Sequence, residues 1–204
     1  MDRGLNADRG ASILKDTIAE MTYAEVAEAL GRGAIALWGC GVAEQHGPHL
    51  PTGTDIYIPS ARLHLVRRML ADHGIEARII PPFYWGVNHV SASFPASIKV
   101  RPEMMIALMV DVMQSLADDG LRVLYCTPGH KDRAHNAAIF ETVQQGTAAS
   151  AAQAAFLSKA AMINRLGVPP DHPNLLPFPP TRRKHRPSFS ISTPANGKPR
   201  SCWR

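Results

Sequence analysis

The chain has 204 residues, enough for one domain with a sizeable core, and its 45% hydrophobic and 6% aromatic content is that of an ordinary globular protein. Its formal charge of +5 is unevenly placed: residues 169–204 carry seven basic side chains and one acid, and the other 168 residues carry 15 and 16. The body therefore has no basic stripe for nucleic acid, no apolar run of about 18 residues for a membrane span, and, with only Cys40, Cys126 and Cys202, no disulfide scaffold.

Residues 1–20 read as an N-terminal extension, polar and without the apolar stretch of a signal peptide or anchor. No C-x-x-C pair occurs, so a reducing, cytoplasmic setting is expected. Thr22 with Glu25 forms a capping-box pattern for a short helix ending at Gly31. Ala34 to Trp38 is an apolar run suited to a buried strand. Pro59 is expected in the first turn of a second helix, with Leu63, Val66, Met69 and Leu70 on its apolar face and Gly74 as its stop. Ala77 to Pro81 predicts a second strand.

Pro102 opens an amphipathic helix carrying Met105, Leu108, Met109, Val112 and Leu116, which Gly120 closes. Val123 to Cys126 predicts a third strand, and an alanine-rich helix is expected over roughly 134–165. Strands alternating with helices imply an α/β layered domain, residues 21–168, with a mostly parallel central sheet flanked by helices. From 169 to 204, which hold nine of the 17 prolines, a basic, disordered tail is expected.

In such sheets ligands collect at the carboxyl ends of strands, which directs attention to Gly39–Asp55 and Thr127–Asn136. Glu44 and His46, two apart, project to one side of an extended backbone and supply a carboxylate and an imidazole for a divalent metal. Gly47, Pro48, Pro51 and Gly53 form a turning loop that can return Asp55 to the pair. A carboxylate has two oxygens, so Asp55 is suited to bridging two metals about 3.5 Å apart. His130 and Asp132 form a second pair beyond another strand, giving five candidate ligands.

The other histidines divide differently. His49 reads as a loop residue, His135 as a capping or surface residue, and His64 and His73 as ordinary helix positions. His89 either lines the pocket or is a buried structural residue. Cys40 and Cys126 read as packing residues, and Met104 to Met113 as core. No P-loop or G-x-G-x-x-G occurs, which leaves nucleotide cofactors unsupported.

Glu44-Gln-His46-Gly-Pro-His49-Leu-Pro, followed by Gly53-Thr-Asp55, resembles the opening signature of the creatininase amidohydrolase family. Gly86, His89 and Phe94-Pro95 resemble its glycine-to-Phe-Pro segment, and Gly129-His130 resembles its Asn-Gly-His motif. The resemblance covers roughly residues 20–145. It implies an α/β fold, two divalent ions (Zn, Mn or Fe), a homo-oligomer that is commonly a hexamer, and hydrolysis of an amide C–N bond in a small, often cyclic substrate through a hydroxide held by both metals. Carried over, Glu44, Asp55 and His130 hold one ion, and His46, Asp55 and Asp132 hold the other. Asp132 is the expected catalytic residue, and Asn88, His89 and Lys131 are the expected substrate contacts.

This sequence also departs from the family pattern. Asp132 stands in place of glutamate, Lys131 in place of an aromatic residue, and Ala96-Ser97 in place of Gly-Thr. No His-Ala-Gly-Glu stretch follows residue 150. Hydrolysis of an inosose-type cyclic ketone or lactone, and a non-catalytic paralogue lacking the distal motif, stand as the alternatives.

Overall fold

A computed structural model of the chain describes residues 12–178. Five short apolar segments form the strands β1 (Ile35–Cys40), β2 (Ala77–Phe83), β3 (Val123–Pro128), β4 (Gln153–Lys159) and β5 (Leu175–Phe178). All pair in parallel, in the order β2-β1-β3-β4-β5. The helices between and around them are α1 (Tyr23–Gly31), α2 (Thr54–Asp72), α3 (Pro102–Asp118), α4 (Arg133–Ala149) and α5 (Ala160–Leu166).

Strand order explains the layering. The chain leaves β1 towards β2 on one side and then jumps back past β1 to β3, β4 and β5 on the other. Right-handed crossovers therefore send α2 to one face and α3, α4 and α5 to the opposite one. The buried side chains agree. Ala36, Trp38, Leu124, Cys126 and Phe156 pack with Met105, Met109 and Met113 of α3 and with Ile139 and Val143 of α4. Leu37, Ala77 and Ile79 point the other way and pack with Leu63 of α2. Each fully buried leucine, isoleucine, valine, phenylalanine or methionine among them stabilises the fold by about 1.5–3 kcal/mol. Gly146 lets α4 approach α3, because a Cβ there would lie 2.6 Å from the Met113 sulfur.

Local signals behave as their chemistry dictates. Thr22 and Glu25 close a capping box on α1, and Pro102 occupies the first turn of α3. Pro81 and Pro82 lie in β2, an edge strand, where a missing N–H costs no central ladder bond. The Pro81 carbonyl accepts a hydrogen bond from the Trp38 indole at 3.1 Å.

Three expectations change. Pro59 is not in the first turn of α2, which begins five residues earlier at Thr54 and carries the proline in its interior. The helix expected over 134–165 ends at Ala149, and residues 153–159 form β4 instead. Alanine favours helix locally, but pairing with β3 and burial of Ala154, Phe156 and Ser158 decide the outcome. The folded part also extends past residue 168: Leu175–Phe178 pairs with β4 as the fifth strand. The rest of the expected tail, residues 179–204, lies outside the described residues, as does the start of the N-terminal extension. No described helix is long and apolar enough to cross a membrane.

Candidate metal centre

The strand order reverses between β1 and β3, and the loops leaving these two strands diverge around a crevice. Parallel α/β sheets bind ligands there. Glu44 and His46 follow β1, His130 and Asp132 follow β3, and Asp55 opens α2.

The loop from Glu44 to Asp55 closes on itself through the Glu44 N–H, which donates to the Thr52 carbonyl at 2.9 Å. This places ligand atoms of Glu44, His46 and Asp55 within 4.8 Å of one another. His46 Nε2 lies 3.2 Å from Asp55 Oδ1, and its Nδ1 lies 3.2 Å from the Glu44 carbonyl. From the other loop, His130 Nδ1 lies 2.9 Å from both Glu44 Oε1 and Asp55 Oδ2. Asp55 thus turns one oxygen to each histidine.

The helix start is pressed unusually close to the sheet. Pro59 has no N–H, so the Asp55 carbonyl lacks its i+4 donor within α2. That carbonyl lies where a Cβ on Gly41 or on Gly129 would have to be. Only glycine at both strand ends admits it.

Electrostatics follow from packing acids and imidazoles in a partly dry site. Burial raises the Glu44 pKa above the usual carboxylate value, against hydrogen bonding from Ser91 and the charge of His130. Burial also acts to raise Asp55, but the hydrogen bonds from His130 and Glu44 and the two histidine charges outweigh it, and its pKa is lowered. His130 is opposed by burial yet raised by Asp55 and Glu44. Two clustered carboxylates with two imidazoles suit a divalent cation, whose charge would replace the protons that now hold them together.

Asp132 is held differently. It caps α4, its Oδ1 accepting from the Ala134 N–H and its Oδ2 from the His89 N–H, both at 2.8 Å. Burial acts to raise its pKa, but these two amides and His130 outweigh it and lower the value. It is buried beside the cluster. The His89 ring is largely exposed, with Nδ1 4.0 Å from Asp132. Lys131 is exposed. Asn88 is fully buried, its amide engaged with Ser91, so it stands behind Glu44 rather than at an open surface.

Two residues of the site gave no clear signal in the sequence. Ser91 is buried and its hydroxyl donates to Glu44 Oε2, fixing the carboxylate from behind. His135, expected as a capping or surface residue, is instead fully buried. Its ring meets that of His130 edge-on at 5.4 Å, and its Nε2 donates to the Cys40 carbonyl at 3.2 Å. Burial and the nearby His130 charge push its pKa down to about 4. The polar residue at the third position of α4 could be assigned inward only once α4 was placed on the sheet.

The creatininase family profile, described as creatinine amidohydrolase, matches residues 19–177. The mycofactocin precursor peptide peptidase of Mycolicibacterium smegmatis is 30% identical over 91 residues, covering 44% of this chain and 36% of that protein. Among solved structures, one titled "Creatininase Mn" superposes with a TM-score of 0.58 at 19% identity, over 79% of this chain and 58% of that one. A putative creatinine amidohydrolase from Bacteroides fragilis gives 0.51 at 24% identity, over 57% and 46%. The chain therefore spans about a third of the curated relative and about half of the structures it matches. A profile match across most of the chain, on a sheet shared with those structures, shows that the chain belongs to the creatininase family.

Proposed function

We propose that this chain is a metal-dependent hydrolase that cleaves an amide C–N bond in a small substrate, using two divalent ions held at the β1/β3 crevice. The observation that carries the reading is the convergence of His46 and His130 on the two oxygens of Asp55, with Glu44 held against His130 in the same cluster. Glu44, Asp55 and His130 would hold one ion. His46, Asp55 and Asp132 would hold the other, with Asp55 shared. Zinc, manganese and iron all suit such mixed carboxylate and imidazole donors. Solved creatininases described as Zn-Zn and Mn types support the first two.

When bound, such ions supply Lewis acidity, acidifying water and polarising the scissile carbonyl. The chain's own residues do the rest. Ser91 and Asn88 fix the Glu44 carboxylate, and the amides of His89 and Ala134 keep Asp132 ionised. In this reading Asp132 receives a proton from the attacking water and returns it to the leaving nitrogen. His89 and Lys131, at the exposed rim, would contact substrate. The peptidase name of the M. smegmatis relative adds peptide amides to the small cyclic amides as substrates to be tried. Self-association belongs to the same reading, supported by the exposed Tyr57, Ile58, Leu65 and Met69 on the outer side of α2.

Elemental analysis together with an amide-hydrolysis panel, run with and without added Mn or Zn, tests the proposal. Two equivalents of metal and metal-dependent turnover are expected. Bound metal without turnover on any amide would favour a non-catalytic paralogue, and absence of metal binding would end the reading.

A further inference from the structure

Beside the metal cradle, on the β4 side of His130, lies a cavity of about 240 Å³. Four cationic side chains from four different elements border it: Arg62 of α2, Lys131 of the loop after β3, Lys159 at the end of β4, and Arg165 of α5. Among the described residues no acidic side chain lines it. Among the described residues none of the four forms an ion pair, and all four are exposed. Four uncompensated cations around one concavity repel each other and focus a positive potential into it. The body of the chain has no net excess of base, which makes this concentration local.

Two buried polar side chains form the inner wall. Asn136 is buried, and its Nδ2 donates to the carbonyls of His130 and Asp132. Those two bonds fix the orientation of the amide and leave the buried Oδ1 without a partner. His130 likewise turns Nδ1 to the carboxylates and has no partner for its buried Nε2. These two unpartnered atoms lie behind the cavity wall, with almost no surface open to it, and make that side of the cavity polar. Pro128, Met162 and Phe178 give the same cavity an apolar side.

We propose that this cavity is a carboxylate-binding subsite and that the amide cleaved belongs to a carboxylate-bearing substrate, an N-acylamino acid or the terminal residue of a peptide with an apolar side chain. The cations take the carboxylate, the apolar wall takes the side chain, and His130 places the neighbouring amide beside the metal cradle. The assignment rests on the hydrolase reading, but binding can be measured without turnover.

The test titrates the full chain with N-acetylleucine and with its neutral counterpart N-acetylleucinamide, following Met162 methyl and backbone NMR shifts. Metal-free protein is used first, where the acids of the cradle repel a carboxylate and cannot serve as its site. N-acetylleucine is expected to bind roughly tenfold or more tightly than the amide, the worth of a charge-assisted contact. That preference should shrink in high salt and in Lys159→Ala, and disappear in Lys159→Ala with Arg165→Ala. Both are exposed positions, and circular dichroism checks that the variants fold. Equal affinity for the two ligands, undiminished binding in the double variant, or no saturable binding overturns the proposal. Turnover in metal-loaded protein separates the two readings. Selective binding without hydrolysis keeps the subsite and sinks the hydrolase, whereas equal kcat/KM on acid and neutral amide keeps the hydrolase and sinks the subsite.

Discussion

The backbone carbonyl of Asp55 occupies the space that a side chain on Gly129 would need. The first turn of α2 is thereby seated directly on the end of β3, one residue before His130. Replacing Gly129 with Ala should push that turn outward and separate Asp55 from His130. Overpacking of this kind costs about 1–3 kcal/mol. Because the displaced turn carries Asp55, the shared ligand of the proposed centre, metal affinity should fall more than stability. Calorimetric metal titration beside urea unfolding checks the ratio, and a variant with lowered stability and unchanged affinity would contradict the role.

Ser91 holds Glu44 without reaching the crevice. Ser91→Ala should lower metal affinity by about 10–100-fold, the usual effect of removing a partner that orients a ligand. Its fold should survive, since only one hydroxyl is lost. Competition against a chelator of known affinity measures the change.

Glu44→Gln separates binding from stability. Burial raises the Glu44 pKa, so its ionised form opposes folding in the absence of metal, and that opposition grows as pH rises through the folded value. The neutral isostere should therefore bind metal more weakly while leaving the metal-free protein at least as stable at pH 8. Thermal melts in chelator and metal titrations on the same sample test both halves.

His135 should leave a signature at mildly acidic pH. Its folded pKa of about 4 lies below the ordinary 6.5, so between these values the unfolded chain binds a proton that the folded one refuses. Stability is therefore lost as pH falls through this window, by about 3 kcal/mol at most. The raised pKa of His130 acts in the opposite sense, and a comparison with His135→Met isolates the effect. In chelator, the stability advantage of wild type over the variant should shrink between pH 7 and pH 5.

Much of the fold is legible from local chemistry. Thr22 and Glu25 cap because a hydroxyl and a carboxylate three residues apart meet two orphan amides, and Gly74 and Gly120 stop helices by accepting positive φ. β4 is not legible in this way. Its alanines carry no strand preference, and only the neighbouring β3 makes them one. The Glu44–His46–Asp55 grouping is readable because a short turning loop brings its members together. The spacing also placed His130 at the same sheet edge. What no spacing reveals is how each polar atom is used. The resemblance implies a substrate contact for Asn88, whose amide is engaged with Ser91, and both oxygens of Asp132 already accept backbone amides. His135 lies inward because α4 does.

The cradle draws on two parts of the chain that are far apart in time as well as in sequence. Glu44, His46 and Asp55 come from one short loop, while His130 reaches Asp55 across 75 residues. During synthesis the first three emerge together with an incomplete set of donors. The fourth arrives only after β3 has been made and has found its place beside β1, on the side away from β2. A long-range parallel pairing of that kind forms late. On the proposed reading metal capture would follow strand pairing, and an ion once taken up would bind the two halves of the sheet together, acting as a clasp on the finished fold.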